Sequence, residues 1–222
     1  MILNRVLIGF ITLTLYSNIN AQEVRIKSIP YPLKFENVPL SYNVIDSSSL
    51  SIVAPGKTDL FISPDGRHKI NKSPRLIFKP DSDFIFSARI EPDFKTKWDA
   101  GVLLVYNDET HFAKFCFEVD YKGTPRVVTV VCNETADDCN SIAISSKAVY
   151  YRMSGSAKGK TFNFYYSSDG KDWYLIRAFK LDKIDNLRIG FSAQSSVGKE
   201  CNVGFSEIDL QQRKLNDFWE GN

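Results

Sequence analysis

Histidine is scarce in this 222-residue chain, which has only His68 and His111. A multi-histidine metal centre is thereby excluded, although mixed ligand sets stay open. No Gly-x-Ser-x-Gly, P-loop or dinucleotide fingerprint occurs, so the chemistries those motifs carry have no footing here. Neither sign of charge forms a block. The 28 Lys+Arg stand against 26 Asp+Glu for a net charge of +2, and that balance gives no case for nucleic acid or a membrane surface. Internal repeats, low-complexity stretches and long amphipathic helices are also missing. No segment approaches the length of a membrane span.

What is present begins with MILNRVLIGFITLTLYSNINAQ. Arg5 is its single charge, Val6 to Tyr16 is a short apolar run, and a small residue, Ala21, closes it. This reads as a secretory signal peptide over residues 1–21, cleaved after Ala21. Gln22 rather than Cys follows, which argues against a bacterial lipid anchor. The expectation is an exported protein, periplasmic or extracellular, with residues 22–222 forming one domain large enough to bury a sizeable core. Four cysteines (Cys116, Cys132, Cys139, Cys201) remain in that chain. Export permits disulfides without demanding them. Cys132 and Cys139 are close enough to close a small loop, and Cys116 would then pair with Cys201 only across neighbouring strands. Buried free thiols are an equal alternative.

Short β-branched and aromatic runs, broken by turn residues about every ten positions, dominate the rest and predict an all-β sandwich or barrel. In DFIFSARIEP, Phe84, Phe86, Ala88 and Ile90 alternate with Ile85, Ser87 and Arg89. In HFAKFCFEVD, Ala113, Phe115, Phe117 and Val119 share one face; Phe112, Lys114, Cys116, Glu118 and Asp120 share the other. LRIGFSAQ places Ile189, Phe191 and Ala193 inward. A hairpin is expected at Asp169-Gly170. GVLLVYN and PRVVTVVCN are apolar on both parities, as strands buried on both faces are. The count is about a dozen strands, hence two sheets of about six. Residues 23–82, richer in proline and turns, read as early strands and long loops of the same domain.

The ordered set WDAGVLLVYND, FAKFCFEVD, PRVVTVV, DDCNS, YYSSDGKDWYLIRAF and IGFSAQSSVGKECNVGF resembles the uncharacterised domain family that includes the fungal regulation-of-enolase protein. That family belongs to the concanavalin A-like lectin/glucanase superfamily. The resemblance spans about residues 57–210. It implies an antiparallel two-sheet jelly-roll sandwich and no established activity. The family usually has Trp where this chain has Phe112, so any stacking surface there is smaller.

Glu118 and Asp120 raise the question of catalysis. Sandwich glucanases of this superfamily use Glu-x-Asp-x-x-Glu, with two Glu side chains about 5 Å apart for retention. Here the third acid is replaced by Gly123, and Tyr121-Lys122-Gly123 reads as a turn with Asp120 at its edge. No catalytic residue is therefore assigned. Lys114 and Glu118 share the polar parity of one strand, about 13 Å apart along it. They are expected to line a groove with Phe112, with Trp98 and Asp99 near its mouth and Arg89 nearby. Asp137 and Asp138, in a segment read as a polar loop, would shape the rim. A cross-strand salt bridge on a solvated sheet face is an equal reading of Lys114 and Glu118. Calcium at Asp137-Asp138 is the weaker reading, since the spacing does not match a calcium loop; neither metal nor cofactor is expected.

The leading functional expectation is a non-catalytic module that binds carbohydrate, because polar groups beside rings suit a sugar's hydroxyls and its C–H face. Two rivals stand: a glycoside hydrolase or lyase whose acid and base come from strands distant in sequence, and a laminin-G-like module with a protein partner.

Overall fold

A computed structural model describes residues 23–222, so the expected signal peptide lies outside the described residues. Within them the chain forms seventeen strands and no helix. In order they are β1 (Glu23–Val24), β2 (Leu33–Glu36), β3 (Ser41–Asp46), β4 (Ser49–Pro55), β5 (Leu60–Ile62), β6 (Lys69–Asn71), β7 (Arg75–Phe78), β8 (Asp83–Pro92) and β9 (Asp99–Asp108). They continue as β10 (His111–Val119), β11 (Pro125–Asn133), β12 (Thr135–Ala143), β13 (Val149–Ser156), β14 (Thr161–Ser167), β15 (Tyr174–Lys180), β16 (Arg188–Ser195) and β17 (Glu200–Gln211).

One sheet has eight strands in the order β1-β2-β7-β16-β9-β10-β11-β12, and the other has seven in the order β15-β14-β13-β8-β17-β4-β3. Every ladder is antiparallel. The expected all-β, two-sheet antiparallel sandwich is thus the observed fold. The strand count exceeds the expected dozen because residues 23–82 supply seven strands, most of them two to four residues long. Such short strands, cut by prolines and turns, carry too little alternation to be counted from sequence.

The sheets meet over an aromatic core. Phe115 of the eight-stranded sheet stacks on Tyr151 at 3.7 Å and on Phe164 at 4.7 Å, both from the seven-stranded sheet. The Tyr151 hydroxyl reaches across to donate to the Cys116 carbonyl at 2.8 Å. The inward sets read from alternation in β8, β10 and β16 all lie in this core, apart from Val119 at the strand end. The Asp169-Gly170 turn joins β14 to β15 as expected, with Gly170 at φ +78°.

A second, smaller core lies on the outer face of the eight-stranded sheet. The β5–β6 hairpin folds across that face and buries Leu60 and Ile62 against Val102, Leu104, Phe112, Val128 and Val130. This explains the double-sided apolar pattern of β9 and β11. One parity feeds the inter-sheet core and the other feeds the hairpin. The arrangement also corrects the reading of Phe112, which is fully buried under the hairpin and offers no surface for stacking.

Three further expectations change. CNETADDCNS is strand rather than loop: Glu134, at φ +72°, turns the chain into β12 at the edge of the sheet. An edge strand needs no apolar alternation, and charges there discourage pairing with other chains, which is why it read as loop. Arg89 belongs to β8, in the opposite sheet from Lys114. All four cysteines are free. Cys116 lies in the second core and Cys201 in the inter-sheet core, so those two cannot pair. Cys132 is likewise in the second core, whereas Cys139 is exposed on β12.

No helix of the described residues is long and apolar enough to cross a membrane. Phe112→Ala should lower stability by about 3–5 kcal/mol, the usual cost of emptying a packed aromatic site. Urea unfolding measures it, and a loss under about 1 kcal/mol would mean the hairpin does not seal that face.

Candidate functional site

Beside the second core, on the same outer face, the apolar cover gives way to a cavity of about 420 Å³. That is within the range of small-molecule sites. Asp59, Phe61, His68 and Ile70 line it from the hairpin, Lys114 and Glu118 from β10, Val128 and Val130 from β11, and Asp138 from β12. Trp98, Gln194, Ser196 and Val197 complete the wall.

Sheet register places these groups. Lys114 lies opposite Val130, which lies opposite Asp138. Glu118 lies opposite Ala100, which lies opposite Gln194. Every second residue of adjacent strands therefore projects to one side. Asp59 arrives differently. The connection from β4 is pinned to the end of β16 by the Gly56–Ser195 bridge and by the Thr58 hydroxyl, which accepts from the Ser195 amide at 3.1 Å. The approach is close enough to require glycine: a β-carbon on Gly56 would meet the Gly198 carbonyl oxygen at 2.3 Å.

The polar side chains form one chain of contacts. Lys114 Nζ donates to Asp59 Oδ1 at 2.9 Å and to Gln194 Oε1 at 3.2 Å. Gln194 Nε2 donates to Glu118 Oε2 at 3.2 Å and to the Trp98 carbonyl at 3.3 Å. The Ser196 hydroxyl donates to Asp59 Oδ2 at 3.1 Å. Lys114 is only 3% exposed, so the expected cross-strand salt bridge on a solvated face is replaced by a buried pair with Asp59, from outside the sheet. Burial works against its ammonium, yet the acidic groups around it, Asp59 foremost with Cys116 and Glu118 behind, together outweigh that and raise its pKa. Burial pushes the Glu118 carboxyl up to about 8; Lys114 opposes the shift, and Asp59 and Asp138 reinforce it. Asp138 sits on an exposed edge strand, but its carboxyl at the cavity rim loses enough water to be raised as well.

The other expected site residues separate. Trp98 does line the cavity, half-buried and held at φ +65°. Asp99 does not. It is fully buried, and its carboxylate accepts from the Lys95 and Thr96 amides at 2.9 and 2.8 Å and from the Ser195 hydroxyl at 2.7 Å. Its oxygens go to holding the β8–β9 connection and to tying that connection to the end of β16. Asp137 has the opposite parity from Asp138 and forms an ion pair at 2.6 Å with Arg177 of β15. Asp120, as its turn position suggested, accepts from the Lys122 and Thr124 amides and pairs with Arg126 at 3.0 Å. Asp59, Phe61 and Gln194 were not singled out. Gln194 carried a usable signal, since its parity is opposite to that of Ile189, Phe191 and Ala193. Asp59 carried none, because its place depends on the hairpin folding back.

A family model matches residues 35–213. The chain belongs to that family, described as "Protein of unknown function (DUF1349)". No curated protein matches the chain. Among solved structures, a functionally unknown protein from Saccharomyces cerevisiae aligns with a TM-score of 0.75 at 20% identity, covering 82% of this chain and 97% of that one. A GH43 protein from Bacillus licheniformis aligns with a TM-score of 0.63 at 13% identity over 91% of this chain but 41% of its own. A xylan beta-1,4-xylosidase from Bacillus halodurans aligns with a TM-score of 0.56 at 12% identity over 72% of this chain and 32% of its own. At these identities the likeness is one of fold. Against the two glycoside-hydrolase structures, this chain spans less than half of the other's length.

Glu118 holds its proton more tightly in the folded chain than in the unfolded one. Between its ordinary value of 4.5 and about 8 the native state therefore binds more protons. Its stabilising contribution is complete below that window and falls as pH rises through it, by up to about 1.4 kcal/mol per pH unit. Glu118→Gln should escape this loss, so the stability difference between variant and wild type should move in the variant's favour from about pH 5 to about pH 8.5. Urea titrations at both ends check it. A constant difference would show that Glu118 titrates as it does in water.

Proposed function

We propose that the protein is an exported, non-catalytic carbohydrate-binding module, and that its sugar occupies the cavity beneath the β5–β6 hairpin. One observation carries this reading. The cavity joins a preformed chain of polar groups, Glu118–Gln194–Lys114–Asp59, to the Trp98 and Phe61 rings. A pyranose has equatorial hydroxyls that both donate and accept, and a C–H face that packs on rings, so it matches both parts. The recurrence of this sandwich over part of glycoside-hydrolase chains agrees with the reading without carrying it. The family is further read as the one that includes the fungal regulation-of-enolase protein, within the concanavalin A-like superfamily. Export rests on the N-terminal signal pattern.

A hydrolytic reading has one observation in its favour: Asp59, Glu118 and Asp138 come from separate parts of the sequence to line one cavity. Acid and base drawn from separate strands is the arrangement that a glycosidase lacking the local motif would need.

A glycan-array screen of the purified protein, with bound glycans then examined for cleavage, tests both readings. The expected result is a saccharide bound and left intact, with binding weakened about tenfold, or about 1.4 kcal/mol, by Glu118→Gln and by Trp98→Ala. Cleaved glycans would replace the binding module with an enzyme. A blank array, together with capture of a protein from the exported fraction, would favour an interaction module instead.

A further inference from the structure

The cavity's unspent hydrogen-bonding capacity leans toward acceptors. Asp59 is satisfied, since it accepts from Lys114, from the Leu60 amide at 2.7 Å and from the Ser196 hydroxyl. Both amide hydrogens of Gln194 are committed, to Glu118 and to the Trp98 carbonyl. Lys114 has given two of its three hydrogens. Glu118, in contrast, receives a single hydrogen bond, and Asp138 receives none among the described residues. Three carboxyl groups thus share one buried ammonium, and the spare lone pairs belong to Glu118 and Asp138.

Besides Lys114, His68 is the other basic side chain in the wall, and the nearby Lys and Arg groups stand off. Lys97 lies with its ammonium 4.6 Å from the centre of the Trp98 ring, outside the cavity wall. Arg126, the cross-strand neighbour of Glu118, is occupied by Asp120 and by the Ser141 carbonyl at 2.7 Å. Arg177 is occupied by Asp137. The space in front of Glu118 is therefore rich in acceptors and short of positive charge, and the Trp98 and Phe61 rings that border it already sit beside the Lys97 and Lys114 ammonium groups.

We propose that the cavity selects saccharides bearing a free amine, with the ammonium seated against Glu118, and disfavours saccharides bearing a carboxylate. This rests on the saccharide reading above and names the ligand class within it. An ammonium brings donors and positive charge to a carboxyl that has a single donor and no ion-pair partner. Burial keeps the Glu118 carboxyl protonated near neutral pH, so seating the ammonium releases that proton to solvent and leaves the carboxylate paired with the charge it lacked. A uronic acid would instead add a fourth carboxylate against Lys114, which is already engaged. An N-acetylated amine would lose the charge and gain bulk.

Calorimetric titration of the purified protein near neutral pH with a β-1,4-linked glucosamine trimer, its fully N-acetylated form, cellotriose and glucuronic acid decides the matter. The expected order is the glucosamine trimer at least tenfold tighter than cellotriose, the N-acetylated trimer without that advantage, and no measurable glucuronic acid binding. In Glu118→Gln, whose thermal unfolding confirms that it folds, the preference for the glucosamine trimer over cellotriose should collapse. If cellotriose or glucuronic acid binds as well as the amine, selection for amines is overturned while the saccharide reading stands. If another glycan binds on the array and the glucosamine trimer does not, the same conclusion follows. If the amine preference persists in Glu118→Gln, Glu118 is not the seat. If no glycan binds in either experiment, both readings fall.

Discussion

An ammonium group cannot be taken out of water without a partner, and Lys114 is 3% exposed. Much of the outer face follows from meeting that demand. Asp59 supplies the opposite charge, but it is 55 residues away in sequence and lies outside the eight-stranded sheet. The β4–β5 connection must therefore cross the end of β16, and it does so at a contact only glycine permits, Gly56. Once Asp59 is fixed, Leu60 and Ile62 follow it directly onto the apolar half of the same face. The ion pair and the second core thus position one another, and the cavity is the space that the hairpin leaves over the polar half.

This division of one sheet face into a dry half and a polar half rests on β10. Phe112 and Cys116 are the apolar members of its outward parity, and Lys114 and Glu118 are the charged ones. They interleave along a single strand, so the boundary of the cavity runs diagonally across neighbours. On β9 the same parity is apolar throughout, Ala100 to Tyr106. On β16 it carries Ser192 and Gln194. Gln194 then spans the distance between Lys114 and Glu118, which cannot meet directly, and it does so by accepting from one and donating to the other.

The sequence was legible wherever a residue's surroundings repeat with the strand period. Phe84 and Phe86, Phe115 and Phe117, and Ile189 and Phe191 point where alternation says they point, because the pleat enforces it. The double-sided apolar run of β9 correctly required two covers, although nothing local identified the second as the β5–β6 hairpin. Long-range folding decided the rest. Asp99 has the chemistry of a binding residue, yet its oxygens are consumed by Lys95, Thr96 and Ser195. Phe112 has the chemistry of a stacking platform and became core. Asp138 lines the cavity and its neighbour Asp137 does not, because a segment read as loop is strand and the two therefore face opposite ways.

The Glu118–Gln194–Lys114–Asp59 chain has a consequence for selectivity. Long side chains such as Lys, Gln and Glu ordinarily lose rotamer freedom when a ligand immobilises them, at about 0.5–1.5 kcal/mol each. Here that entropy has already been surrendered to folding, since each is tied to its neighbour before anything arrives. A guest of the kind proposed would meet a stiff template, so little of its contact energy would be spent on ordering these side chains. If the cavity takes a sugar as proposed, the same stiffness would keep these four side chains from swinging toward a misplaced hydroxyl.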